Sequence, residues 1–261
     1  MGNESRRLRR HLAGLSAASG LLAASCAPPI TGDQSPSATL FAASSTRVVN
    51  EELTSLASDA GVELRINTNG SSGLISQLSE GAQATALITA DGATMKKALD
   101  QGLVVAPQAI ARNTLVMVVP ADNPAGITSI RDLTEQTRLV LCDDRVPCGA
   151  ASSSLAQVNG LKLSPVSLEA AVGDVLGKVV NGQADAGWVY RTDAVAAGDS
   201  VRVIEIDQSE RFPTTLWAAP TKQAAGGNDA QALMNILQSP AFAADLASAG
   251  FLPLDAGVAQ L

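Results

Sequence analysis

Residues 39–70 read TLFAASSTRVVNEELTSLASDAGVELRINTNG. Thr39–Ala43 is a short apolar strand. Thr46–Ala60 has the spacing of a helix and is stopped by Gly61, and Glu63–Asn67 is a second strand. The pattern continues outward. A helix over Ser72–Glu80 ends at Gly81, a strand covers Ala84–Thr89, and a helix over Ala93–Gln101 precedes Gly102. Strands alternating with helices of this length predict an α/β lobe with a largely parallel sheet. Thr114–Val119, β-branched and closed by Pro120, reads as a buried strand leaving that lobe. Beyond it the alternation resumes. Leu139–Cys142 is a strand, Ala150–Val158 a helix, Leu168–Val180 a helix stopped by Asn181-Gly182, and Ala186–Tyr190 and Val201–Ile206 are strands. Thr214–Ala219 can return to the first lobe, and two helices, Asp229–Gln238 and Pro240–Ala249, follow it.

The 261 residues suit one large domain or two modest lobes. Hydrophobic residues make up 46% and charged residues 16%, as in a packed globular protein. Aromatics are only 3%, so Ala, Val and Leu must build the core. The formal net charge is -7. The first 25 residues hold Glu4 and four arginines, Arg6, Arg7, Arg9 and Arg10. Without them 18 cations against 25 anions become 14 against 24, a net of -10. No basic run follows Arg10, which argues against nucleic acid as a partner. An acidic chain that binds an anion must do so with local donors.

The N-terminus carries an address. Basic Arg6–His11 precedes the small apolar run Leu12–Ser25, too short to span a bilayer and built like a signal peptide (residues 1–25). It ends in Leu22-Ala23-Ala24-Ser25-Cys26, small residues before a cysteine, as in a bacterial lipobox, although Ala23 stands where Leu is more usual. Cys26 is therefore the expected lipidation site, and the Gly/Ser/Pro/Thr-rich residues 26–37 the tether of a membrane anchor. Simple cleavage with a free Cys26 is the alternative. Once Cys26 is set aside, Cys142 and Cys148 remain, and export permits a disulfide between them. Two sulfurs alone do not complete a zinc site, and the one histidine, His11, falls in the signal.

Four turns share one design, with small or hydroxyl residues opening a helix. They are Ala42-Ala43-Ser44-Ser45, Gly70-Ser71-Ser72-Gly73, Val146-Pro147-Cys148-Gly149 and the residues Glu169–Val172. Helix N-termini leave N–H groups unpaired and carry partial positive charge, so an anion can approach there. One such turn is usually only a cap; several in one exported α/β chain mean more. Phe41–Ser45, Gly70–Gly73 with Gln77–Ala82, ATALITAD at 84–91, Val146–Gly149, and Asn181–Tyr190 with Thr192-Asp193-Ala194 together resemble the molybdate-binding proteins of ABC importers. The resemblance runs from Thr39 to about Pro253, and the lipobox and cysteine pair are similar to the actinobacterial branch.

That resemblance implies an α/β, two-lobed periplasmic-binding-protein-like fold of type II. Residues 38–116 plus 214–261 would form one lobe and 120–211 the other, with hinge strands near Thr114–Val119 and Thr214–Ala219. It implies an oxyanion, molybdate or tungstate, held between the lobes by Ser45, Ser71, the Cys148 and Val172 N–H groups and the Tyr190 phenol, with Ser44 and Ser72 as further donors. Molybdenum would enter only as bound molybdate, with no cofactor. The partners would be a membrane permease and the lipid anchor, and the protein a monomer. Arg47 departs from the family pattern, where an apolar residue is usual. These positions are all neutral, and neutral donors favour a fully deprotonated dianion over a phosphate that still carries a proton. A binding protein for another oxyanion such as sulfate is the nearest alternative. A serine enzyme is the other, opposed by the lack of Gly-x-Ser-x-Gly and of a histidine outside the signal.

Overall fold

The structure, a computed structural model, describes residues 36–254 and 261. The signal, Cys26 and most of the tether lie outside the described residues. Among the described residues, ten strands form two mixed five-stranded sheets. The first holds β1 (Ser37–Ala43), β2 (Glu63–Asn69), β3 (Ala86–Thr89), β4 (Gln108–Asn113) and β10 (Thr214–Pro220), in the order β2-β1-β3-β10-β4. The second holds β5 (Leu115–Pro120), β6 (Leu139–Cys142), β7 (Ser167–Glu169), β8 (Ala186–Tyr190) and β9 (Val201–Ile204), in the order β7-β6-β8-β5-β9.

The sheets repeat one plan. In each, three strands run parallel, β2-β1-β3 and β7-β6-β8. A strand arriving from the other lobe then joins antiparallel: β10 against β3 and β4, β5 against β8 and β9. The expected largely parallel sheet is thus mixed, because the crossing strand enters each sheet from the far side. The chain passes between the sheets twice, once at Thr114 between β4 and β5 and again over residues 205–213.

Helices cover the sheets: α1 (Asn50–Asp59), α2 (Ser71–Ser79) and α3 (Gly92–Asp100), then α4 (Pro147–Val158), α5 (Val172–Val180) and α6 (Arg191–Ala197), and finally α7 (Asn228–Leu237) and α8 (Pro240–Ser248). Small side chains let them sit close. A Cβ at Gly187 of β8 would come within 2.7 Å of Val175 and 3.0 Å of Val179, so α5 lies flush on that strand. The first sheet has a core on each face. One is built around Leu40, Leu53, Leu233 and Phe242, the other around Phe41, Leu74, Met95 and Trp217. The second sheet has its own core around Val116, Val118, Leu155, Val179 and Trp188. Among the described residues no helix is long and apolar enough to cross a membrane.

Three local readings change. The helix expected from Thr46 opens as a 3₁₀ turn, Ser44–Val49, and becomes α-helical only at Asn50. The helix expected over Leu168–Val180 is a short strand, β7, a turn, and then α5 from Val172. Pairing of Glu169 with Cys142 holds Leu168 in the sheet against its helical spacing. The strand Gln108–Asn113 and the helix Arg191–Ala197 add two elements that the pattern did not reveal.

Candidate functional site

A cleft of about 300 Å³ opens where the two sheets face each other. Ser45, Cys148, Val172 and Tyr190 line it together with Asp91, Asn113 and Thr214. The first sheet brings Ser45 at the start of the 3₁₀ turn after β1. The second brings the first turns of α4 and α5 and the C-terminal end of β8. The strand ends and helix starts of both lobes thus converge, and the leading N–H groups of each helix have no acceptor within their own helix.

Ser45 carries the most informative atom. Its Oγ is sealed from solvent and has no hydrogen-bond partner. A buried hydroxyl left this way costs about 1–3 kcal/mol, so the fold holds it ready for something else. Ser71 sits one step behind: its Oγ accepts the Ala90 N–H at 3.1 Å, and Ala90 lines the cleft. Its own hydroxyl hydrogen remains available. Ser44 and Ser72 are exposed and do not line the cleft.

In the second lobe Val146, Pro147 and Cys148 at the α4 start and Ala170, Ala171 and Val172 at the α5 start join Tyr190 in the lining, and the fold fixes the first of these turns in three ways. A disulfide joins Cys142 at the end of β6 to Cys148 in the first turn of α4, with Cα atoms 5.7 Å apart. At Gly149 the helix presses on the preceding loop so closely that a Cβ would lie 2.0 Å from the Asp143 carbonyl oxygen. Arg145 binds the Asp143 carboxylate through Nε at 2.8 Å and Nη2 at 2.7 Å, holding that carboxyl well below the usual range.

Two acidic residues lie beside this neutral set. Asp91 lines the cleft, but it caps α3: Oδ1 accepts the Thr94 N–H and Oδ2 the Thr94 hydroxyl, both at 2.7 Å. Asp193, in the first turn of α6, has a buried Oδ2 with no partner. Burial pushes its carboxyl up to about 6 against the opposing pull of the Tyr190 backbone N–H. Tyr190 is pushed up to about 12, by burial first and then by Asp193 and Asp91, so its phenol stays protonated and able to donate at neutral pH. The ATALITAD and Thr192-Asp193-Ala194 segments contain both acids, but only the fold places them near one tyrosine.

Asn113 ties the crossing to the cleft. Its Nδ2 donates to Thr192 Oγ1 at 2.9 Å, its Oδ1 accepts the Thr114 N–H at 3.1 Å, and Thr214 Oγ1 donates to its carbonyl at 3.4 Å. No cluster of acidic, histidine or cysteine residues able to hold a metal ion is found among the described residues. The chemistry on offer is anion capture by hydroxyls, a phenol and helix-start N–H groups.

Comparison with known proteins bears on the fold and the family. The molybdate-binding protein ModA of Mycobacterium tuberculosis is 41% identical over 159 residues, covering 60% of this chain and 59% of the relative. The chain thus matches less than two thirds of the length of that curated relative. Among solved structures, the substrate binding domain of a putative molybdenum ABC transporter from Clostridium difficile superposes with a TM-score of 0.74 at 24% identity, covering 84% of this chain and 99% of that one. The periplasmic molybdate-binding protein of Azotobacter vinelandii gives 0.66 at 18% identity, covering 84% and 100%. Both show the same two-lobed fold. The family model described as bacterial extracellular solute-binding protein matches residues 38–252, and this chain belongs to that family.

Proposed function

We propose that this protein captures molybdate or tungstate outside the cell membrane and delivers it to an ABC importer. The observation that carries the reading is the unpartnered, buried Ser45 hydroxyl in a cleft shared by both lobes. Ser45 and Ser71 supply hydroxyls from the first lobe. Cys148 and Val172 supply N–H groups and Tyr190 its phenol from the second. The likeness to the molybdate-binding protein of Mycobacterium tuberculosis supports the choice of anion. Donors split between lobes make the anion the link that holds the cleft closed, so differential affinity for the closed form drives closure. The role is read as binding, without catalysis: the family is one of extracellular solute-binding proteins, and the single histidine is His11, within the signal-like segment. Cys26 is read as the lipid anchor that keeps the protein at the membrane face, and the protein as a monomer.

Calorimetric titration of the chain from Ser35 onward with molybdate, tungstate, sulfate and phosphate tests this. Tight binding of the two larger anions, with sulfate weaker and phosphate weakest, is the expected result. Equal affinity for sulfate and molybdate removes the molybdate assignment, and no heat with any of the four removes the oxyanion reading altogether. For the anchor, Cys26→Ser should release the protein into the medium; continued membrane retention would oppose it.

A further inference from the structure

The second lobe offers its N–H groups from two separate loops, 143–148 after β6 and 170–172 after β7. What sets the distance between them? The sheet alone does so weakly. β7 has three residues, lies at the sheet edge and is poorly buried: Leu168 is 54% exposed, and Val166 just before the strand 61%. A short edge strand with little core contact is the part of a sheet most free to shift.

Glu169 touches both loops. Its carbonyl accepts the Asp143 N–H at 2.8 Å, and its Cα pairs with that of the disulfide-bonded Cys142. Asp143 in turn passes the position to the α4 start, because its carbonyl accepts the Val146 N–H at 3.0 Å and abuts Gly149. On the other side the Glu169 carboxylate is ion-paired with Lys178 of α5 and accepts the Ser167 hydroxyl. Lys178 Nζ also donates to Ser167 Oγ at 2.9 Å. The Glu169 side chain is 14% exposed and that of Lys178 34%, so the pair is half-buried and only partly screened. α5 begins at Val172, three residues after Glu169 and one after the cleft-lining Ala171.

We propose that Glu169 is a positioning residue that sets the spacing of the two second-lobe turns, and through it the size of tetrahedral anion the cleft prefers. The proposal rests on the oxyanion reading above. Backbone donors cannot change length to suit a ligand, so discrimination between a larger and a smaller tetrahedron depends on where the turns are held. The Glu169 backbone is tied to the Asp143 loop, its carboxylate ties β7 to α5 through Lys178, and neither side chain lines the cleft.

The test is the ratio of sulfate to molybdate Kd, measured by calorimetry on one preparation of each protein. Partial unfolding lowers the binding-competent fraction for both anions alike and leaves the ratio unchanged, so a merely structural role does not move it. Glu169→Gln and Lys178→Met should each reduce the wild-type preference at least fivefold. The charge-swapped pair, Glu169→Lys with Lys178→Glu, should recover most of it. An unchanged ratio in both single variants, or a wild type that does not discriminate, overturns the proposal and leaves anion binding standing. A folded wild type that binds neither anion overturns this proposal together with the reading beneath it.

Discussion

The two lobes present their halves of the cleft differently. The first offers hydroxyls, a buried Ser45 Oγ with no partner and Ser71 resting on Ala90. The second presents the starts of α4 and α5 and the Tyr190 phenol, on turns held by a disulfide, a glycine with no room for a Cβ, and two ion pairs, Asp143–Arg145 and Glu169–Lys178. A hydroxyl rotates about one bond to meet a ligand, whereas a backbone N–H goes only where the chain goes. The contrast assigns adaptability to one face and rigidity to the other. It implies that first-lobe substitutions remove a donor and act on affinity, whereas second-lobe substitutions act on stability or, at Glu169 and Lys178, on which anion is preferred.

The most severe trial of that division is Gly149→Ala. A Cβ 2.0 Å from a backbone oxygen forces the α4 start away from the Asp143 loop. A loss of about 4 kcal/mol of stability is expected, read by urea denaturation; a loss under 1 kcal/mol would show the turn to be soft. Asp193 comes next. Its folded-state pKa, about 6, lies above the ordinary 3.8, so the folded protein binds the extra proton and stability falls as pH rises from about 4 through 6. Asp193→Asn should raise stability at pH 7 by on the order of 3 kcal/mol and flatten that slope. A bound dianion beside Tyr190 would push Asp193 higher still, so oxyanion affinity should decline as pH climbs above 6.

Ser45→Ala is the matching first-lobe trial. Charge-assisted hydrogen bonds are worth roughly 1.5–3 kcal/mol, so molybdate affinity should drop about tenfold to a hundredfold. Melting temperature should hold or rise, because the orphaned hydroxyl is gone. A large drop in stability would erase the distinction between the lobes. Replacing both Cys142 and Cys148 by Ser should cost about 2 kcal/mol of stability, from the short loop the bond closes. Ser71→Ala is the mildest, about 1 kcal/mol from the lost Ala90 contact, with a modest loss of affinity.

Much of this architecture is legible in the chain. Leu139–Cys142 and Ala186–Tyr190 are apolar runs with abrupt polar boundaries, and the strands stop where the runs do. Ser45, Cys148 and Tyr190 share one cleft because each lies at or just after the end of a strand that a pattern can locate, whereas Val172 follows β7, which the pattern reads as helix. What escaped the reading is set by distant partners. Gln108–Asn113 begins and ends in polar residues and is a strand because β10 pairs with it. Leu168 is held by β6 despite its helical spacing. Asp91 and Asp193 lie in different lobes, more than a hundred positions apart, and no local period reports that both act on one phenol.

The plan of the first sheet has a consequence for the order of assembly. β10 lies between β3 and β4, so that sheet has a gap until residues 214–220 join it, whereas the second sheet needs nothing beyond Ile204. Such long-range pairings form late, because the loop-closure entropy must be met before the contacts form. The chain holds two tryptophans, Trp188 in the second sheet and Trp217 in β10 itself. Each lobe thus has its own fluorescent reporter. During refolding Trp188 should become buried before Trp217, and the cleft can exist only after the second event.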